Sequence, residues 1–541
     1  MAYPEPSRVL DAIKNHVAQR PDDTAFVFIR RRTDEGRTMS WSELWQRSAT
    51  IAQGLPLSSS EAPLGVLLFC RDEAHFVVGL LAVWMRGGVA IPGTGSLNSN
   101  ILDRNAHILA ASQPDVILHD LSANDIDKLR PHRGQAVFRH IDDKEPVAQP
   151  SVTKGGGLLQ FTSGTTSQPK GILLTDGMIA ANCTAIAKAY DLSAKSVGVH
   201  WLPLHHDMGL IGGVVSAFWT GGLSVLLRPT LFIQDPLYWM RAISKWRGTI
   251  TSAPNFAYAR LVKATRAEPP EGIDLSCLKN VIIGGEPVQQ ETTEGLIETL
   301  GPFGLSPDAL APSYGLAEAT LLASSGKRSG GPAFEPTDLG ANVATLGPPV
   351  DGLTVEVVND GRLCTEAELG EITLTGRSVG HVIPFGENWR LRDTHGLAPP
   401  VAPGDFGFMK NGSIHITGRS ANKIILRGRN IFAEDVERIA TKAVPHTTPS
   451  GAAAFGIAMD GSEGLCLLLE IPKSQEFGCL AELNAQIGSK LGVKLARLVI
   501  LHSSSLPRTS SGKVKRGVAR DLLTAGSLDK RIRGNVIQTG H

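Results

Sequence analysis

No excess of either charge runs through this sequence: 53 lysines and arginines stand against 52 aspartates and glutamates in 541 residues, a formal net charge of +1. Such a chain has no global field to draw in nucleic acid or an anionic membrane surface, so neither partner is expected and any phosphate site must be local. Cysteine is scarce as well. The six residues, Cys70, Cys183, Cys277, Cys364, Cys466 and Cys479, are scattered without a CxxC pair. That excludes a zinc ribbon and a dense disulfide framework and points to a reducing, cytoplasmic setting. The opening MAYPEPSRVL lacks a basic start followed by an apolar run, so no secretory signal is expected. No repeat of roughly 20–50 residues and no long low-complexity tract appears.

One uncharged run tests the membrane question. Residues 208–227 (MGLIGGVVSAFWTGGLSVLL) have the length of a spanning helix, but five glycines interrupt them. The Thr220-Gly221-Gly222 turn instead predicts a buried helix followed by a short β-branched strand over 223–227. No stable membrane insertion is expected.

A chain of this length exceeds one compact core, and about 150 residues per domain suggests two to four units. Helical spacing over 7–19 precedes a strand pattern at 24–29. The alternation continues with strands at 64–70, 89–92 and 116–118 and helices at 75–85 and 101–111. This argues for an α/β fold with layered, mainly parallel sheets. A hairpin over 406–416, turning at Asn411-Gly412, leads to a boundary near 418–423, after which Ile424-Ile425-Leu426 opens a smaller α+β unit. The expected division is a large N-terminal domain, 1–421, of several subdomains, and a small mobile domain, 422–541.

The apolar strand 158–161 runs directly into Thr162-Ser163-Gly164-Thr165-Thr166-Ser167-Gln168-Pro169-Lys170-Gly171. Hydroxyls, adaptable backbone and a cation are thus placed together, which is what holding a triphosphate demands. Hydrogen bonds to charged groups are worth about 1.5–3 kcal/mol each. The loop is not a Walker sequence, because Gly171 follows Lys170 and the GxxxxGK[ST] spacing is absent.

The string resembles the TSGTTGxPKG signature of adenylate-forming enzymes, the superfamily of acyl-CoA synthetases, peptide-synthetase adenylation domains and luciferases. Other motifs of that superfamily follow in order. Ser313-Tyr314-Gly315-Leu316-Ala317-Glu318 resembles the segment whose aromatic ring packs on adenine and whose glutamate helps to hold Mg²⁺. Gly284-Gly285-Glu286-Pro287 resembles a second adenine-contacting segment, and Gly404-Asp405 with Gly418-Arg419 match ribose-binding positions. Pro507-Arg508-Thr509-Ser510-Ser511-Gly512-Lys513 is similar to the C-terminal motif whose lysine bridges carboxylate and α-phosphate. Read alone, Glu318 is a surface or helix-cap glutamate and Lys513 a solvated loop cation. The resemblance, which covers about residues 7–520, implies catalytic roles for Lys513, Glu318 and Thr162, and a hinge at Asn422.

Three further strings look most like the fatty acyl-AMP ligase branch: 202–210 (LPLHHDMGL), 254–258 (PNFAY) and 312–320 (PSYGLAEAT). By that analogy His206 sits at the acyl and phosphopantetheine entry; a buried structural histidine is the alternative. The implied reaction joins ATP and a large apolar carboxylic acid to give acyl-AMP, then passes the acyl group to a pantetheine thiol. Trp219, Phe218 and Phe256 are the residues expected to shape the acid pocket.

The sequence also departs from the family's pattern. Ser167 stands where glycine is common, Pro403 replaces a threonine before Gly404-Asp405, and Asn422 replaces an aspartate, removing a charge that could pair with Arg419 or Lys423. The segment 378–403 is shorter than the insertion typical of fatty acyl-AMP ligases, which tilts the expected acceptor towards coenzyme A over an acyl carrier protein. Two alternatives stay open: a ligase specialised for one half-reaction, and a non-catalytic acyl-adenylate-binding protein.

Overall fold

The computed structural model describes residues 8–59, 63–95, 99–142, 156–161, 170–336, 342–426, 429–444, 447, 451–459, 462–472, 480–508 and 514–537. Among them, two large sheets dominate. In one, eight strands run in the order Leu322–Ser325, Leu310–Gly315, Asn280–Ile283, Ile250–Ala253, Val197–His200, Leu223–Leu227, Thr24–Ile29 and Arg37–Ser40. Its interior pairings are parallel and only its two edge strands are antiparallel.

The second sheet has seven strands, ordered His381–Ile383, Gly171–Leu174, Gly157–Phe161, Val89–Pro92, Gly65–Phe69, Val116–His119 and Val137–His140. It is parallel from Gly157–Phe161 onwards. Strand Gly65–Phe69 shows why its pattern is a continuous apolar run. Val66 and Leu68 enter the core shared by both large sheets, while Leu67 and Phe69 enter a separate cluster on the other face. Parallel strands covered on both faces need apolar residues at every position. After its first turn, helix Glu73–Met85 is apolar all round, and every residue from Phe76 to Met85 is buried. Its start is fixed by Asp72, whose carboxylate accepts the Ala74 N–H at 2.8 Å.

A five-stranded antiparallel sheet adds Arg362–Leu363, Leu353–Asn359, Gly370–Gly376 and the hairpin Asp405–Lys410 with Ser413–Arg419. The hairpin turns at Asn411 and Gly412, both with positive φ, +50° and +70°, the conformation that an Asn-Gly pair favours. Beyond it lies a mixed four-stranded sheet, Ala452–Met459, Ser462–Glu470, Leu495–Leu501 and Ile532–Ile537. The hydrophobic clusters respect this change. Two contain only residues 9–414, and two contain only residues 424–528.

The uncharged 208–227 run folds as a helix, a turn and a strand. A π-helix, Met208–Val215, continues as the α-helix Ser216–Thr220, Gly221 ends it at φ +73°, and Leu223–Leu227 returns through the eight-stranded sheet. Among the described residues no helix is long and apolar enough to cross a membrane.

Candidate active site

The C-terminal ends of the parallel strands open on a cavity of about 890 Å³. This is a size that accommodates small-molecule ligands, and such crevices are where open α/β sheets bind them. Lys170, His206, Gly284, Gly285, Ser313, Tyr314, Gly315, Glu318 and Arg419 all line it. Five distant segments thus bring their marked residues to one place. Thr162, Ser163, Gly164, Thr165, Thr166 and Lys513 lie outside the described residues. Strands Gly157–Phe161 and Gly171–Leu174 pair antiparallel with Phe161 opposite Gly171, and Phe161 and Lys170 both face the cavity.

The tyrosine segment is held rigidly. Tyr314 is the last but one residue of strand Leu310–Gly315, and its hydroxyl donates to Asp405 Oδ2 at 2.6 Å, while Arg419 Nε donates to Asp405 Oδ1 at 2.8 Å. Asp405 and Arg419 are opposite partners across the hairpin, so strand register sets the ion pair. Asp405 itself is buried and stands behind the lining, with Gly404 and Arg419 in front. Each carboxylate oxygen carries two acceptor sites, so both donors leave capacity for a hydroxyl. Burial first, and then the Asp405 charge, push the Tyr314 phenol well above its ordinary range.

Glu318 sits on a single 3₁₀ turn, Ala317–Ala319, that a tight return closes through the Leu316 N–H to Leu321 carbonyl bond at 2.8 Å. That return forces Thr320 to φ +70°, with its hydroxyl donating to the Ser378 carbonyl at 2.7 Å. A β-branched residue in the left-handed region is strained. Nothing in the sequence signals it. Burial raises the Glu318 carboxyl above its usual range; Arg419 opposes the rise, while Asp207 and Asp405 add to it.

His206 belongs to the tight lead into the π-helix. Its N–H bonds the Pro203 carbonyl at 3.1 Å, its carbonyl accepts from Leu210 N–H at 2.8 Å, and its ring lies 4.4 Å from that of His205. Asp207 accepts the Met208 N–H at 2.8 Å. Gly209 makes the turn possible, because a Cβ there would lie 2.3 Å from the Pro203 carbonyl oxygen.

Gly284 follows its strand so closely against the next that a Cβ would stand 2.8 Å from the Ser313 carbonyl oxygen, and Gly285 adopts φ +73°. Glu286 turns away from the cavity and accepts the Phe256 N–H, while Pro287 is exposed. Neither lines the cavity.

Two expectations need correcting. Of the aromatic residues expected to shape the acid pocket, only Phe256 lines the cavity. Phe218 is buried against Phe26 and Trp84, and Trp219 lines a separate, smaller pocket, because the short helix turns Ser216, Ala217 and Thr220 towards the cavity instead. At position 422 there is no exposed pair to lose. Asn422 is buried and its amide donates to Glu434 Oε1 at 2.6 Å, while Arg419 is engaged by Asp405 and Lys423 lies over the Phe406 ring. An aspartate at 422 would set two carboxylates against each other.

This site belongs to a known class. The AMP-binding enzyme family matches residues 13–382, and the chain belongs to that family; it is an adenylate-forming ligase. It is 30% identical over 583 residues to a medium-chain-fatty-acid–acyl-carrier-protein ligase of Moorena producens (strain JHB), covering 98% of this chain and 97% of the relative. A long-chain-fatty-acid–AMP ligase of Mycobacterium marinum is 28% identical over 560 residues, 93% of this chain and 95% of that one. A solved structure from studies of fatty acyl-adenylate ligases of E. coli and L. pneumophila matches with a TM-score of 0.84 at 25% identity, covering 98% of this chain and all of that one.

The family uses ATP with Mg²⁺, and the residues fit that metal. Glu318 is a carboxylate raised by burial, with Asp207 and Asp405 adding negative charge nearby. A cation there relieves that repulsion. Mg²⁺ is commonly held by one or two carboxylates with the remaining positions filled by phosphate and water.

Proposed function

We propose that this chain condenses a fatty acid with ATP to give a fatty acyl-adenylate and pyrophosphate, then transfers the acyl group to a pantetheine thiol. The observation that carries this reading is the shared cavity: Lys170, Tyr314, Glu318 and Arg419 line the same space as the apolar side chains of Leu202, Phe232, Ile233, Phe256 and Leu321. The relatives named as fatty-acid ligases span nearly the whole chain and support a fatty acid as the substrate.

Attack of a carboxylate on the α-phosphate brings like charges together, so electrostatic compensation is the main requirement. Bound Mg²⁺ would offset phosphate charge beside Glu318. Lys170 and, by its motif, the 162–169 loop supply donors to the phosphates; Asp405 is assigned to the ribose hydroxyls by its motif, with Gly404 and Arg419 standing in front of it; and the cavity-facing side of Tyr314 with Gly284 and Gly285 forms an adenine slot. Lys513, assigned by its motif, bridges the reacting carboxylate and the α-phosphate.

We place the boundary of a mobile C-terminal domain at Asn422, supported by the separation of hydrophobic clusters between Ile414 and Ile424. Rotation there lets Lys513 serve the first half-reaction and withdraw for the thiol in the second. The relatives divide between an acyl-carrier-protein ligase and putative fatty-acid–CoA ligases, and the short 378–403 segment tilts the acceptor towards coenzyme A. Supplying acyl-adenylate with either coenzyme A or a phosphopantetheinylated carrier protein, and measuring thioester, separates them. Thioester on the carrier protein alone would reverse that tilt. Absence of both, with adenylate still formed, would reduce the enzyme to one half-reaction.

A further inference from the structure

The deep end of the cavity is not uniformly apolar. It lies against one face of the eight-stranded sheet, where strand alternation puts Gly198, His200, Ser224, Ile250 and Ser252 on the same side. The opposing wall is the helix carrying Gly212, Gly213 and Ser216. In the parallel register Ile250 pairs with Gly198, which sets Ser252 beside His200 on the neighbouring strand.

Three polar groups here are unsatisfied. His200 Nδ1, Ser216 Oγ and Ser252 Oγ are buried without a hydrogen-bond partner among the described residues, and their residues are only 4%, 5% and 3% exposed. Their neighbours behave differently. In the same cavity Ser224 Oγ donates to the Gly213 carbonyl at 2.6 Å, and Thr220 Oγ1 donates to the Ser216 carbonyl at 2.8 Å. Helical serine and threonine ordinarily bond the carbonyl four residues back. Ser216 does not, because it sits where the π-helix passes into the α-helix and its own N–H reaches Ile211. Gly198 leaves the room that the imidazole occupies, since a Cβ there would be 2.5 Å from His200 Nε2.

Buried polar groups are almost always satisfied, and a set left open around one cavity points to a ligand group that completes it. A saturated alkyl chain threaded past these atoms would seal them from water and satisfy none. We infer that the acyl chain taken by this enzyme carries a hydroxyl group along its length, received by His200, Ser252 and Ser216. A hydroxyl both donates and accepts, matching a neutral imidazole nitrogen and two serine hydroxyls. Burial drives the His200 pKa down to about 4, so the ring stays neutral at working pH. This inference rests on the fatty acyl-adenylate reading of the cavity.

The test is calorimetric binding of non-hydrolysable acyl-adenylate mimics to the full chain. A saturated acyl group is compared with isomers of the same length that carry one hydroxyl at successive carbons. At least one hydroxyl isomer binds about 10–100-fold more tightly than the saturated mimic. In Ser252→Ala and His200→Leu that ratio falls towards unity. If the saturated mimic binds the wild-type chain as tightly as every hydroxyl isomer, the hydroxyl proposal is overturned, buried water is the partner of these groups, and the adenylate reading stands. If no mimic binds, both readings fall.

Discussion

Asp405 holds two donors at once, the Tyr314 hydroxyl on one oxygen and the Arg419 guanidinium on the other. Tyr314→Phe keeps the ring but deletes a hydrogen bond to a charged acceptor, a change worth about 1.5–3 kcal/mol. If the loss falls on the ATP-binding geometry, KM for ATP rises by about 10–100-fold with a smaller change in kcat, measured in steady-state adenylation. An unchanged KM would separate this pair from nucleotide binding. Glu318 carries a pH signature. Its carboxyl is raised by burial, so the anion proposed to hold Mg²⁺ is lost as pH falls through that raised value, and metal affinity should weaken towards acid. Glu318→Gln should flatten the acid limb of the pH profile and raise the Mg²⁺ concentration needed for half-maximal rate.

Residues of this kind were readable because each lies inside a spelled motif. His200, Ser216 and Ser252 were not, since they come from three separate segments and meet only through sheet register and a π-helical turn. Thr320 was invisible for another reason: a strained φ at a β-branched residue has no sequence mark.

At the scale of elements, glycines and turns carried most of the legible information. Asn411-Gly412 marked its hairpin, and Thr220-Gly221-Gly222 marked the break that turns an apparent membrane span into helix and strand. Sequence could not show that the helix begins as a π-helix or that Phe218 and Trp219 face away from the cavity, because the altered winding rotates every later side chain. Gly209 anchors that winding. Gly209→Ala would drive a methyl into the Pro203 carbonyl, costing on the order of 1–3 kcal/mol, and should lower Tm and displace His206 and Asp207. A wild-type Tm would show that the lead can relax. Asn422 gives a second test at this scale. Asn422→Asp places a carboxylate against Glu434, which already binds Arg516 at 3.1 Å, and should loosen the junction, read as faster proteolysis near residue 422.

Across the whole molecule, two buried groups pull stability in opposite directions with pH. His200 has its pKa lowered to about 4, so the unfolded chain binds more protons between about 6.5 and 4, and stability falls as pH drops through that window. Asp176 has its pKa raised to about 6, mainly by burial, so the folded chain binds more protons between 3.8 and 6, and stability rises as pH drops there. The two offset each other. Asp176→Asn should therefore raise Tm at neutral pH and expose a steeper acid loss, while unchanged curves would mean that solvent reaches one of these groups.

The alternation of strands and helices made the layered α/β architecture readable, as hydrophobic patterning does when both sheet faces are buried. The antiparallel five-stranded sheet was less visible, because its strands come from the irregular 353–419 region.

The central claim is the adenylation chemistry, and carboxylate-dependent exchange of pyrophosphate into ATP by the intact chain tests it most directly. Exchange should require a fatty acid and Mg²⁺ and fall by about 10²–10³-fold in Lys513→Ala. Exchange that is absent for every fatty acid, or undiminished in that variant, would contradict the account.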